Sequence, residues 1–112
     1  MCPVAANAPS WWMSRACIVE NLLHAASLGA DIVGRQRTFL MPVLRLTIEE
    51  VVAGIAKLHG NEVFKRVSYE PNAKLQAQFA NYPPMRCPRS LAAGFKHDGS
   101  AEVLVQRALE MP

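Results

Sequence analysis

No glycine-rich loop able to cradle a phosphate occurs in this sequence. Neither Gly-x-Gly-x-x-Gly nor Gly-x-x-x-x-Gly-Lys is present, and the six glycines are dispersed at expected helix ends and turns, apart from Gly54. These 112 residues therefore carry no independent nucleotide site. Long apolar runs are also missing, so no segment is expected to span a bilayer, and the N-terminus lacks the basic and apolar regions of a secretory signal. Cys-x-x-Cys spacing is absent: Cys2, Cys17 and Cys87 are an odd number and fit free thiols in a reducing cytoplasm. The basic residues form no single run. Arg35 and Arg37, Lys65 and Arg66, and Arg86 and Arg89 are scattered, and a net charge of +3 is mild, so a solvated surface is expected rather than a nucleic-acid partner. Internal repeats and low-complexity tracts are absent too.

What is present is globular. The chain is 51% apolar and 19% charged, and its length permits one domain at most, residues 1–112. Trp11–Gly29 is the stretch around which the rest is organised. It reads as an aromatic strand end turning into a helix, with Ser14 as N-cap and Gly29 as a left-handed C′ residue. Ile18, Val19, Leu22, Leu23 and Ala26, with Ala16 and Ala25, cover well over half of that helix. Glu20, Asn21, His24 and Ser27 keep a narrow polar strip. An arc so wide implies burial against more than one neighbour, and a larger body than this chain obviously provides.

Further along, Ala30–Arg37 reads as a polar connection and Thr38–Leu44 as a strand that Pro42 ends or bulges. Thr47-x-x-Glu50 is a capping box with Leu46 and Val51 as its staple. Ile48, Val51, Val52, Ile55 and Leu58 follow at helical spacing up to Gly60. Val63–Glu70 alternates as a half-buried strand. Pro71 suits the first position of a helix through Leu75 and Phe79, and Asn81-Tyr-Pro-Pro stops it. Pro88 starts a short helix ended by Gly94, and Asp98 or Ser100 caps a last one through Leu104 and Leu109. The expected class is mixed α/β and helix-rich, with two or three short strands and four or five helices.

Few residues suggest chemistry. Cys17 and His24 share a helix face, which a metal with a third ligand could use, although a buried thiol and a helix-end imidazole suit the pattern better. His59 and His97 sit beside glycines, where a ring interacts with free carbonyls. Glu49 and Glu50 are first-turn acids favourable to the helix dipole. Trp11 and Trp12 point to opposite sides of a strand. With Ser14 and Arg15 beside them, they either line a pocket for a polar, anionic ligand or simply pack.

Four stretches, in order, look familiar. Trp11–Leu28, with its Val-Glu-Asn-Leu-Leu-His-Ala core, resembles the C-terminal part of extended short-chain dehydrogenases/reductases. The nearest branch is the D-erythronate dehydrogenase-like one of the NAD-dependent epimerase/dehydratase family. Arg37–Glu50 resembles that family's strand, proline turn and capped helix. Val63–Pro71 resembles its following strand. Tyr82-Pro83 through Ala93-Gly94-Phe95 and Asp98-Gly99-Ser100 resembles its closing element. The sequence departs from the pattern in places. The family's Ser-Pro-Arg reads Ser14-Arg15-Ala16, which turns the arginine by about 100° around the helix. Val43 replaces a glycine, and Met85-Arg86 replace an aromatic and an acid.

The resemblance implies a substrate-binding lobe of an oxidoreductase of carbohydrate metabolism, acting on a small polyhydroxy acid. Trp12, Ser14 and Arg15 would contact the substrate. The parent family uses NAD, through a Rossmann portion with a glycine loop and a Tyr-x-x-x-Lys pair. Neither is here, since Ala73 and Arg86 stand four residues after Tyr69 and Tyr82. This chain alone is thus expected to hold no cofactor, no metal and no catalytic residue, and to be inactive. The apolar arc of the first helix would pack on that Rossmann portion. The partner is then a Rossmann-type domain or, in the alternative reading, a second copy in a non-catalytic self-associating module. The expected location is cytoplasmic.

Overall fold

A computed structural model of the chain describes residues 1–35 and 37–111; Gln36, inside the expected polar connection, and Pro112 lie outside them. The described residues form seven helices and a two-stranded antiparallel sheet. The class is mixed α/β and helix-rich. Two of the helices are single turns of four residues, which is why the number exceeds the four or five expected.

Strand β1 (Pro9–Trp12) pairs with β2 (Leu44–Thr47), Pro9 opposite Thr47 and Trp12 opposite Leu44. The second strand shares only Leu44 with the expected Thr38–Leu44. Residues 38–43 are held by side chains instead of a ladder. Arg89 donates to the carbonyls of Val33 and Thr38 and stacks 4.0 Å from the Phe39 ring, which packs on Phe95. Pro42, which has no N–H to give a ladder, is fully buried.

Helix α1 (Arg15–Ser27) starts where expected, with Ser14 Oγ accepting the N–H of Cys17 at 3.1 Å. Its end differs. The chain leaves through an extended Leu28, and Gly29 has φ −76°, so no left-handed residue is needed there. Gly29 instead offers its carbonyl to Ile32 and Val33 and opens the short α2 (Ala30–Val33) inside the expected connection.

Helix α3 (Ile48–His59) begins at the Thr47 cap, whose Oγ1 accepts the N–H of Glu50, and closes at Gly60 with φ 90°. Val63–Glu70 is not a strand. Its first half forms α4 (Val63–Arg66), and its second half makes one isolated parallel bridge, Tyr69 to Cys2. Alternation sets which side chains share a face, but a strand also needs an edge to pair with, and among the described residues only Cys2 offers backbone here. Helix α5 (Ala73–Phe79) is capped by Asn72, whose Oδ1 accepts from Lys74 and Leu75, so it starts two residues beyond the expected Pro71. Pro88 does open α6 (Pro88–Ala92), and Ser100 caps α7 (Ala101–Glu110).

The core is small and divided. Helix α3 packs on α7, and Val52 and Ala56 of the first and Leu104 and Val105 of the second are all buried. Gly54 lets the helices close: a Cβ there would lie 3.2 Å from the Ala101 carbonyl oxygen and 3.3 Å from Val105. Val4, Ala8 and Ala80 form a second cluster, and Phe95 a third centre against His24 and Phe39. The result is a slab of 51 × 31 × 18 Å. Its radius of gyration is 16.3 Å, whereas a compact domain of this length reaches about 13 Å.

Candidate functional site

The turn from β1 into α1 is held by a buried hydrogen-bond network. Asp98, buried with no exposed side-chain surface, accepts the Ser14 N–H at 2.8 Å and the Ser14 hydroxyl at 2.5 Å. Arg107 of α7 donates to the same carboxylate at 3.2 Å and to Glu20 of α1 at 2.5 Å. The first turn of α1 is thereby tied to α7. Asp98 is not a helix cap, as the sequence allowed, but the buried hub of this network. It was missed because Asp-Gly-Ser before a helix looks like local turn chemistry, while Ser14 lies 84 positions away.

One turn on, Asn21 clamps the backbone of Lys96, donating to its carbonyl at 2.8 Å and accepting its N–H at 3.0 Å. The Cys17 thiol donates to the same carbonyl at 3.2 Å. Burial, and next the Asp98 carboxylate, push the Cys17 thiol above its ordinary pKa, which disfavours the nucleophilic thiolate. His24 donates from Nε2 to the Ala93 carbonyl at 2.6 Å and meets Phe95 edge to face. Gly94 must be glycine there, since a Cβ would come within 2.7 Å of the imidazole and its φ is 97°. Among the described residues, no three His, Cys, Asp or Glu side chains are grouped to hold a metal.

The same turn borders a cleft of about 410 Å³. Trp12, Ser14 and Arg15, the three residues singled out in the sequence, all line it. Its far walls are apolar: Val51 and Ile55 from α3, and Leu104, Ala108 and Leu109 from α7. Those walls escaped the sequence reading because only the packing of α3 on α7 assembles them. The Trp12 indole donates to the Leu46 carbonyl at 3.0 Å, so this ring both packs and lines the cleft. Trp11 goes to the other side, donating to Pro83 and stacking on Tyr82 with centroids 5.0 Å apart. Ser14 has given its one hydroxyl proton to Asp98, and toward a ligand it can only accept.

A second cavity of about 450 Å³ gathers Val43, Met85 and Arg86 with Cys87 and His97. Three positions that depart from the family pattern thus meet in one place. His97 turns its Nδ1 to accept the Gly99 N–H at 3.0 Å. No described helix is long and apolar enough to cross a membrane.

No family model matches the chain. It is 28% identical over 110 residues to D-erythronate dehydrogenase of Cupriavidus necator, a match covering 97% of this chain and 34% of that one. The crystal structure of a nucleoside-diphosphate-sugar epimerase from Agrobacterium tumefaciens superposes with a TM-score of 0.87 at 27% identity. That match covers 97% of this chain and 32% of the epimerase. The chain therefore spans about a third of the length of each relative it matches, and its fold is that of part of a larger dehydrogenase or epimerase. This agrees with the resemblance to the C-terminal part of an extended short-chain dehydrogenase/reductase.

Proposed function

We propose that these residues are the substrate-binding portion of an NAD-dependent oxidoreductase of the epimerase/dehydratase type, acting on a small polyhydroxy acid of carbohydrate metabolism in the cytoplasm. One observation carries the reading. The chain shares its fold with part of a nucleoside-diphosphate-sugar epimerase, and Trp12, Ser14 and Arg15 line one cleft, which supports the reading. Arg15 supplies a fixed positive charge for a carboxylate, and the indole edge and the Ser14 oxygen flank the hydroxyl-bearing carbons. The described residues lining the cleft include no His, Asp, Glu, Lys or Cys to move a proton. Proton transfer and the dinucleotide belong to residues outside these 112, which contain neither a glycine loop nor a Tyr-x-x-x-Lys pair. In this reading the chain by itself binds substrate and catalyses nothing.

Ligand-detected NMR with D-erythronate, the sugar acid named by the Cupriavidus relative, tests this directly. The expected result is weak binding that Arg15→Gln lowers by about tenfold or more, the worth of one charged hydrogen bond. NAD alone should give no signal change. A wild-type chain indifferent to the sugar acid, or one that binds NAD, overturns the reading.

A further inference from the structure

The cleft beside the β1–α1 turn offers a ligand few polar partners. Arg15 carries the one charge among the described residues lining it, and a guanidinium keeps that charge at any working pH. The Trp12 indole N–H is already given to the Leu46 carbonyl, so the ring contributes an apolar face. Ser14 Oγ gives its proton to Asp98 and accepts the Cys17 N–H, which leaves one lone pair for a ligand hydroxyl. Every other described side chain on the walls is apolar, Val51 and Ile55 of α3 and Leu104, Ala108 and Leu109 of α7 among them.

A small polyhydroxy acid uses such walls poorly. Its carboxylate meets Arg15 and one hydroxyl meets Ser14, but the remaining hydroxyls face carbon and lose their water without a replacement bond. Volume points the same way. The cleft measures about 410 Å³, within the range of roughly 300–1,000 Å³ that drug-sized ligands fill, and a four-carbon acid leaves most of it empty. We infer that the cleft takes a 2-hydroxy acid whose remaining carbons form an apolar tail. The carboxylate lies at Arg15, the one hydroxyl donates to Ser14, and the tail runs between α3 and α7 over Ile55, Leu104 and Leu109. The inference rests on the proposed function for this cleft being the substrate site, and it changes the substrate from an acid with many hydroxyls to an acid with one.

Ligand-detected NMR on the chain with 2-hydroxyoctanoate and D-erythronate as probes tests this. The expected result is that 2-hydroxyoctanoate binds more tightly by about tenfold or more, since each methylene buried is worth about fourfold in affinity. Arg15→Gln should weaken both acids. Ala108→Phe, at an exposed position of α7, fills the cleft from its apolar side. It should cost 2-hydroxyoctanoate about tenfold or more and leave D-erythronate unchanged, with circular dichroism like that of wild type. Leu22→Glu, on the exposed side of α1, should alter neither. Binding of 2-hydroxyoctanoate without D-erythronate upholds the inference and removes the polyhydroxy-acid reading. D-erythronate bound at least as tightly as 2-hydroxyoctanoate keeps that reading and overturns the inference. So does 2-hydroxyoctanoate binding that survives Arg15→Gln and Ala108→Phe but is lost in Leu22→Glu, which assigns the tail to the α1 surface. A chain that binds neither acid overturns both.

Discussion

Asp98 illustrates how much a single buried carboxylate can organise. It satisfies the Ser14 N–H, the Ser14 hydroxyl and one nitrogen of Arg107 at once. Asp98→Ala would leave all three short of a partner, although Arg107 keeps Glu20. The expected loss is about 2–4 kcal/mol, read as a lower urea midpoint, with Asp98→Asn intermediate because the amide oxygen still accepts. Cys17 tests the same region by its reactivity. At 1% exposure and with its pKa raised, it should resist a thiol-specific disulfide reagent at pH 8 until the chain is denatured, whereas the half-buried Cys2 and Cys87 react in the native state. The sign of the linked stability follows. The unfolded thiol ionises first, so the Cys17 contribution is intact below about pH 8.5 and is lost as pH rises through the raised folded value. The lead of wild type over Cys17→Ser in thermal midpoint should shrink between pH 7 and 10.

At the scale of elements, α3 carries both its start signal and its packing constraint in its own sequence. The Thr47 cap bonds at 3.3 Å on an exposed surface. Thr47→Ala should therefore cost about 0.5–1 kcal/mol, the lower part of the range for lost caps, measured by chemical denaturation. Gly54 runs the other way. In a free helix Gly→Ala gains about 1 kcal/mol. Here the added carbon meets the Ala101 carbonyl oxygen and Val105 of α7, so the gain should vanish, and Gly54→Val should destabilise by about 1–3 kcal/mol as α7 is forced outward. A midpoint that rises in Gly54→Ala by the full helix-propensity amount would show that α7 can give way freely.

For the whole molecule, the shape carries the message. A slab 18 Å thick cannot surround a 13-residue apolar helix, and contiguous apolar patches beyond a few hundred Å² are unusual on stable monomers. The native chain should enhance ANS fluorescence while retaining helical circular dichroism, and the Leu22→Glu, Leu23→Glu double variant should lose most of that enhancement. Much of this is legible in the residues alone. Caps and breakers act within four residues of themselves, so Ser14, Thr47, Gly60, Pro88 and Ser100 marked their helix ends correctly. The apolar arc of α1 was legible too, and in the structure its Ile18, Val19, Leu22 and Leu23 are exposed. Pairing was not legible, because a strand is defined by what lies beside it: Val63–Glu70 alternates like a strand yet, among the described residues, finds only the Cys2 backbone to pair with, and Arg89 with Phe39 holds residues 38–43 off the ladder. Tertiary structure alone decided which side of α1 faces inward. Hydrogen bonds between Asn21, Cys17 and the Lys96 backbone, and the buried Asp98 hub, outweigh hydrophobicity there, because unpaired buried polar groups cost more than the exposed Leu22 and Leu23.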